Sequence, residues 1–327
     1  MQSVSIWREM INDTFKFMRN KIYRLLRNRD LLLILSILLG LLWGEGARWT
    51  GPMVIPVLAV VMTLATMGVS GNVFLSPRAM LGPALAGLAM NYGVLGGVIF
   101  GLNTLLIRDE ALRAGFVIMT AVPPAVAVIP FTVLLDGDGT FSLIATIGCY
   151  LGALIITPLI TLGFLGSGFV DRVKLITIMV ELILVPLILS RILLRTGMAR
   201  RIEPVKGAIT NWSFFLVTYT IVGLNQAIFL KQPLSLLRVA VIALATTFFL
   251  GFVIERMSRI LRLDSRKITS LVLLGTQKNT GLAAGLALAL FGDKTALPAT
   301  VSTIFSLVYF IWLGLKRRWA HNPDAVP

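Results

Sequence analysis

The chain of 327 residues is 57% hydrophobic and only 14% charged, yet its formal net charge is +15. Soluble domains carry about 25% charged residues, so this composition excludes an ordinary water-soluble globule and indicates a membrane protein with basic loops. The basic residues are dispersed between apolar runs, which disfavours a nucleic-acid partner.

Residues 1–29 predict an amphipathic helix that lies in the membrane interface. Apolar residues recur every three to four positions from Trp7 to Leu25, and basic residues occupy much of the remainder. This pattern is typical of interfacial anchors. A signal peptide is not indicated, because no short apolar core with a small-residue cleavage site is visible. An organelle transit peptide is the weaker alternative, given Glu9 and Asp13.

Ten apolar runs follow this segment, and each is long enough to cross a bilayer. They do not alternate in polarity as membrane strands do, and a helical span satisfies its own backbone hydrogen bonds. The sequence therefore predicts an all-α polytopic membrane protein with ten transmembrane helices. The runs are 30–48, 51–74, 79–106, 111–135, 140–165, 174–194, 208–230, 235–255, 267–291 and 295–315.

An internal repeat divides the chain into 30–165 and 171–318. Gly137-Asp138-Gly139-Thr140 resembles Gly292-Asp293-Lys294-Thr295, which lies 155 positions later, and several runs keep this register. Five crossings per copy would give the two copies opposite orientations. Inverted repeats are the architecture of many secondary transporters.

The distribution of charge predicts the orientation. Most of the 30 basic residues lie on one side of the predicted spans, including those of 1–29 and those from Arg191 to Lys206. The positive-inside rule therefore places both termini, and the tail 319–327, in the cytoplasm. We expect an integral protein of a prokaryotic cytoplasmic membrane, as a monomer or homodimer.

Two positions in the spans disfavour a continuous helix, and the repeat offset aligns them. Pro123-Pro124 removes two successive amide donors from run four, and a polar stretch, Thr276 to Thr280, interrupts run nine. Polar or broken backbone at membrane depth is tolerated where it is buried or lines a cavity. Broken helices meeting there would present half-helix N-termini, which favour an anion. A simple kink at the prolines is the alternative.

The stretch Gly275-Thr276-Gln277-Lys278-Asn279-Thr280-Gly281-Leu282-Ala283-Ala284 resembles the ninth-helix motif of the bile acid:sodium symporter family. The following Ala296-Leu297-Pro298-Ala299 is similar to that family's start of helix ten, and the prolines at 123 and 158 fall where it has prolines. Arsenite-type and auxin-efflux-type carriers belong to the same superfamily, and the residues do not subdivide it.

This resemblance implies two inverted five-helix repeats, arranged as a panel of runs one, two, six and seven and a core of the others. Helices four and nine would break and cross in the core. It also implies alternating-access transport of an organic anion, a carboxylate or a bile-acid-like molecule, usually with sodium. Thr120, Thr146 and Cys149 would lie beside the crossover by this resemblance, and a role in packing alone is the alternative.

The chain departs from the family pattern where that pattern supplies sodium ligands. Leu271 to Leu274 contains no carboxylate before Gln277, and Ala125 and the apolar residues after it replace the small polar residues expected after the proline. Sodium needs several hard oxygen ligands. We therefore expect proton-coupled or ion-independent transport, with sodium coupling as the alternative. No cofactor is expected.

Lys278 is an additional residue within the motif, midway along run nine. A buried ammonium costs about 2.5–3.5 kcal/mol at a helix centre on insertion scales, so it needs a partner or a role. We hypothesise that Lys278 replaces the sodium ion as a fixed cation at the crossover. The alternative is a lysine that extends to the interface.

Other polar groups in the spans are weaker candidates for a binding site. Glu181 could pair with a cation or carry protons, or it could pair with a basic residue at the interface. Asn91 and Asn103 in run three, and Asn225 with Gln226 in run seven, could line a cavity or hydrogen-bond between helices.

Two other classes of function are disfavoured. A membrane-embedded enzyme would need paired carboxylates with a divalent ion or a histidine site, but acids are scarce in the runs and the one histidine, His321, lies in the tail. The one cysteine, Cys149, excludes a disulfide framework or a Cys-rich metal site. A channel would show rings of charge or filter-like repeats.

Overall fold

The computed structural model describes residues 29–67, 77–166, 171–231 and 233–321. The predicted amphipathic segment 1–29 and most of the predicted tail 319–327 lie outside these ranges. The described chain is helical, and its β-structure is a single isolated bridge. The helices of seven or more residues are α1 (Arg29–Leu42), α2 (Ala47–Thr66), α3 (77–106), α4 (Glu110–Ala121), α5 (Val128–Leu134), α6 (Gly139–Leu165), α7 (172–195), α8 (Met198–Leu224), α9 (Pro233–Ile260), α10 (Ser265–Leu274), α11 (Thr280–Phe291) and α12 (Leu297–His321).

Seven of these helices are long and apolar enough to cross a bilayer, judged by length and composition within the described residues. They are α2, α3, α6, α7, α8, α9 and α12, with spans of 20 to 28 residues. Two shorter apolar helices, α1 and α11, accompany them. The all-α polytopic membrane fold predicted from the sequence is confirmed. The count of ten transmembrane helices and the inverted relation of the two repeats stay predictions.

The helices pack as two groups. In the first, which we call the panel, α8 packs on α1 and α2, and α7 packs on α2. The second group, the core, contains α3 to α6 and α9 to α12, with close packing of α3 on α6, α4 on α6 and α11 on α12. This is the division into runs that the family resemblance implied.

Both predicted interruptions occur. Run four divides into α4, which ends at Ala121, and α5, which begins at Val128. Run nine divides into α10, which ends at Leu274, and α11, which begins at Thr280. Helix α3 is continuous but has a π-helical turn over Ala89–Gly96. Such turns often mark functional sites, and this one carries Asn91.

One helix starts ten residues earlier than its apolar run. Helix α8 begins at Met198, directly after Gly197, which has φ +73° and so separates it from α7. Its first turns contain Arg200, Arg201 and Glu203. A hydropathy pattern does not detect these turns, because their charged side chains lower the hydropathy. The helical backbone hydrogen bonds nevertheless continue through them.

The two ends of the molecule carry different ion pairs. At one end, here called the basic end, Glu255 pairs with Lys316 and Arg259, and Arg317 pairs with Asp136. At the opposite end the chain turns between α3 and α4 and between α11 and α12, where Lys294 pairs with Asp109.

Candidate functional site

The two interruptions meet and hydrogen-bond to each other. The amide of Ala125 donates to the Gln277 carbonyl at 3.1 Å, and the amide of Asn279 donates to the Pro123 carbonyl at 2.9 Å. Pro124 and Lys278 form an antiparallel bridge between these bonds. The two prolines have no amide hydrogen to donate, so the broken segments satisfy part of each other's backbone. We call this junction the crossover.

One face of the crossover is filled by the Lys278 side chain, which is only 4% exposed. Its Nζ donates to Asn91 Oδ1 at 2.8 Å and to the carbonyls of Thr120 and Val122, each at 2.9 Å. An ammonium has three hydrogens, so these bonds use all of them. This is the sealed face, defined by Lys278 and its three oxygen partners.

An aromatic ring completes the surroundings of the ammonium. Lys278 Nζ lies 4.6 Å from the centroid of the Tyr92 ring, a cation–π distance. Tyr92 Oη in turn donates to the carbonyl of Cys149 at 3.2 Å. Among the described residues no carboxylate forms a salt bridge with Lys278. The ammonium is therefore stabilised by dipoles and a ring rather than by an opposite charge.

The other face of the crossover carries neutral polar groups. Asn279 Oδ1 accepts from the Leu282 amide at 3.0 Å and so caps the N-terminus of α11. Its Nδ2 donates to Tyr150 Oη at 2.7 Å. Thr303 Oγ1 of α12 donates to Thr280 Oγ1 at 2.8 Å. We call Asn279, Thr280 and Thr303 the cavity face.

A cavity of about 590 Å³ extends from this face between core and panel. Asn279, Thr280 and Ala125 line its core side, and Leu58 and Phe214 are among the residues on the panel side. Helix α8 ends at the opposite end, so its first turns lie toward the basic end. Those turns supply Glu203 and Lys206, which pair at 3.6 Å in the cavity wall. The cavity therefore extends toward the basic end.

The predicted site residues divide among several positions. Pro123, Pro124, Ala125, Lys278 and Asn279 form the crossover itself, and Thr280 borders the cavity. Asn91 and Thr120 meet Lys278, the latter through its carbonyl. The lysine therefore does not extend to an interface, and that alternative is wrong.

The remaining predicted residues have other surroundings. Thr276 Oγ1 returns to the Val272 carbonyl, and the Gln277 side chain donates to Thr276. The Thr146 hydroxyl is buried on α6 without a hydrogen-bond partner, one helical turn from the buried Cys149.

Two further candidates lie outside the crossover. Glu181 lies exposed on panel helix α7 and does not line the cavity beside the crossover. Asn225 caps the end of α8 and donates to the Asp293 carbonyl at 3.0 Å, which ties the panel to the core at the opposite end. The sequence left two roles open for Asn225, lining a cavity or hydrogen bonding between helices, and this bond is of the second kind.

Sequence reasoning missed four contributors to the site. They are Tyr92, Tyr150, Thr303 and Lys206. Tyr92 is next to the predicted Asn91 and Tyr150 is next to Cys149, so adjacency was an available signal. Thr303 and Lys206 are brought to the cavity by packing, which no local pattern encodes.

The described residues contain no group of three or more His, Cys, Asp or Glu side chains that could hold a metal ion. Lys278 Nζ lies among three oxygens at the crossover, one from an amide side chain and two from backbone carbonyls. Oxygens of this kind are the ligands that hard metal cations take.

Comparison with known proteins gives two matches. Residues 30–312 match the model of the SBF-like CPA transporter family. The chain is also 24% identical over 297 residues to the Probable sodium/metabolite cotransporter BASS1, chloroplastic, of Arabidopsis thaliana, and the match covers 88% of this chain and 72% of that protein.

Proposed function

Because the chain belongs to the SBF-like CPA transporter family, we propose that it moves a small organic anion across the membrane by alternating access. Family membership confirms the sequence resemblance and makes the chain an integral membrane transporter with a small-molecule substrate. The finer points, namely the anion, the mechanism and the absence of enzymatic activity, are our proposal. They rest on the geometry of the crossover.

The observation that carries the proposal is the cavity between panel and core. It ends at the cavity face of the crossover, so a bound molecule would touch both groups of helices. A relative movement of panel and core would then expose the crossover first to one side of the membrane and then to the other. The volume of the cavity, about 590 Å³, suits a small molecule.

Electrostatics at the cavity face favour a negative charge. The N-terminus of α11 begins there, and helix N-termini carry a partial positive charge. Thr280 and Thr303 offer hydroxyl groups, and the Lys278 ammonium lies on the reverse side of the same crossover. Glu203 is the carboxylate of the cavity wall, and Lys206 pairs with it. A carboxylate group against Thr280, with the rest of the molecule against Leu58 and Phe214, fits this wall.

The filled oxygen shell of Lys278 supports transport without sodium. A covalently fixed ammonium already donates to the three oxygen acceptors of the sealed face, and all of its hydrogens are used. We therefore propose ion-independent exchange, with proton coupling as the next alternative. Sodium coupling is the second candidate, since the relative from Arabidopsis thaliana is named as a sodium/metabolite cotransporter.

The test is uptake by proteoliposomes of radiolabelled cholate and of straight-chain carboxylates. Uptake would be measured with sodium, proton or no imposed gradients, and with carboxylate loaded inside. We expect exchange that needs internal carboxylate and is unchanged when choline replaces sodium. Stimulation by a sodium gradient would instead establish the second candidate, and no transport of any acid would overturn the anion assignment. Empty liposomes and Asn279→Asp protein are the controls.

The orientation in the membrane is part of the proposal. The basic end would face the cytoplasm under the positive-inside rule, and the cavity would then be open to the cytoplasm. We propose the prokaryotic cytoplasmic membrane and a monomer or homodimer as the working unit. Labelling of single cysteines at Arg317 and Lys294 with an impermeant maleimide in intact cells checks the orientation, with reagent reaching only position 294.

A further inference from the structure

A second cavity lies at the opposite end of the molecule, away from the panel. It has a volume of about 580 Å³ and is lined by α3, α4, α6 and α11 with the turn before α12, all of them core elements. The first cavity is bounded by panel and core together, whereas no panel residue lines the second. A movement of the panel past the core would leave this pocket intact.

A buried polar atom in this pocket lacks a partner. Asn103 is 1% exposed and lines the pocket. Its Nδ2 donates to the Arg113 carbonyl at 3.2 Å, which fixes the orientation of the amide, because the flipped amide would place two oxygens in contact. Its Oδ1 is buried and accepts no hydrogen bond. A buried acceptor of this kind calls for an N–H or O–H donor.

Two opposite charges stand at the rim of the same pocket. Glu110 and Arg113 lie one turn apart on α4, both are exposed, and both line the pocket. Neither belongs to a salt bridge among the described residues. The pocket thus offers a donor for an anion and two acceptors for a cation, which is complementary to a zwitterion.

The wall of the pocket is apolar and open toward the outside of the bundle. The rings of Phe100 and Phe164 lie 4.4 Å apart and both line the pocket. Phe164 is 58% exposed, and nearby Leu105 is 79% exposed. At the end of a membrane-spanning bundle such side chains face lipid. The ligand of this pocket therefore has room for an acyl chain beside its charged group.

We propose that this pocket binds a phospholipid with an aminoethyl phosphate headgroup. Its phosphate would accept from the Arg113 guanidinium, and its primary ammonium would donate to Asn103 Oδ1 and Glu110. A choline headgroup has the same charges but no N–H hydrogen, so it cannot satisfy Asn103. The acyl chain would lie along Phe100 and Phe164. The pocket contains no residue of the crossover, so lipid binding here does not depend on the proposed transport reaction.

The experiment uses the full chain in detergent and follows thermal unfolding. It is titrated with dihexanoyl phosphatidylethanolamine, dihexanoyl phosphatidylcholine or free phosphoethanolamine. We expect the ethanolamine lipid to bind about tenfold more tightly than the choline lipid, as for one charge-assisted hydrogen bond. The free headgroup is the soluble source of the same chemistry, and we expect it to bind more weakly than the lipid.

Variants at the rim identify the pocket. Glu110→Gln and Arg113→Gln change exposed side chains, so both variants should fold. Glu110→Gln should remove most of the preference for ethanolamine, whereas Arg113→Gln should weaken the binding of both lipids, because both carry the phosphate. Arg108→Gln, an exposed cation of the neighbouring turn that does not line this pocket, should retain it. Equal binding of the two lipids by the original protein, an unchanged preference in Glu110→Gln, unchanged binding of both lipids in Arg113→Gln, or equal binding of free phosphoethanolamine would overturn the proposal.

Discussion

The two faces of the crossover differ in charge and in what they border, although Lys278 and Asn279 are adjacent in the chain. Lys278 is directed into the core, where three oxygens saturate it. Asn279 borders the open cavity and caps α11. The extended backbone at the break causes this difference, since successive side chains of an extended segment point to opposite sides. One face thus provides fixed charge, and the other provides the contact surface for a substrate.

A crosslink between panel and core near the cavity should have the largest effect, a complete loss of transport. A Cβ at Gly285 on α11 would lie 2.5 Å from Leu58 Cδ1 of the panel, so cysteines at both positions can be joined by a short bifunctional thiol reagent. Alternating access requires panel and core to move apart here. Uptake by proteoliposomes before and after crosslinking measures this loss.

The matched control joins two elements of the core. Thr132 Oγ1 and Ser142 Oγ lie 2.9 Å apart between α5 and α6, and cysteines there should crosslink with little loss of uptake. The only native cysteine, Cys149, is buried. Transport that survives the crosslink from Leu58 to Gly285 would contradict movement between panel and core.

Removing the Lys278 side chain from the sealed face should make the free energy of unfolding depend on sodium. Lys278→Ala leaves Asn91 Oδ1 and two carbonyls around a space that a cation can enter. At a sodium concentration ten times the dissociation constant, the free energy of unfolding should rise by about 1.4 kcal/mol. The measurement is thermal unfolding in sodium chloride against choline chloride.

Lys278→Met is the matched variant, because its apolar side chain fills the space and offers no cation site. We expect no sodium effect in Lys278→Met or in the original protein. A sodium effect of equal size in all three proteins would show that Lys278 does not stand in the place of a cation.

The same substitution on the two faces should act in different ways. Asn279→Asp keeps an oxygen to cap α11 but adds negative charge to the cavity, so the affinity for a carboxylate should fall about tenfold or more. Asn91→Asp places the same charge against the Lys278 ammonium, where it should preserve or raise the unfolding temperature with a smaller loss of affinity. Carboxylate titrations followed by thermal shift compare them. A higher affinity in Asn279→Asp would reject an anionic substrate.

The smallest effect is expected at the opposite end, away from both faces. Partial burial acts to raise the pKa of Asp109, but the hydrogen bond and charge of Lys294 and the amide of Leu112 outweigh it and hold that pKa below its ordinary value. The pair is half exposed, so it should contribute about 0.2–1 kcal/mol. This contribution is present above the ordinary pKa of Asp109 and is lost as the pH falls through its lowered value.

Unfolding of the original protein and of Lys294→Met would be compared from neutral to acidic pH. The difference between them should shrink on acidification. Since the pair is separate from the three oxygens around Lys278, Lys294→Met should not acquire a sodium dependence. A difference that grows with acidification would contradict the assigned direction.

Much of the crossover was predictable, because a helix cannot continue through two successive prolines or pass a polar stretch without cost. The aligned breaks at Pro123-Pro124 and Thr276 to Thr280 and the unusual position of Lys278 all followed from local chemistry. The surroundings of Lys278 did not. Two of its three partners are backbone carbonyls, at Thr120 and Val122, and any residue type supplies a carbonyl.

Similar limits apply to the rest of the chain. Periodicity could not show that Asn103 would face a pocket while Asn225 would join two helices, since both are amides in apolar helices. It also could not find the early start of α8, where charged residues continue the helix beyond the apolar segment.

The sequence by itself determined the membrane class, the positions of the apolar spans, the two interruptions and the family, because each depends on residue type and order along the chain. Only the tertiary structure decided which side chains share a space: Lys278 with Asn91, Asn279 with Tyr150, and Thr280 with Thr303. The physical reason is that these contacts join helices far apart in sequence, and their geometry is set by the packing of whole helices rather than by any local pattern.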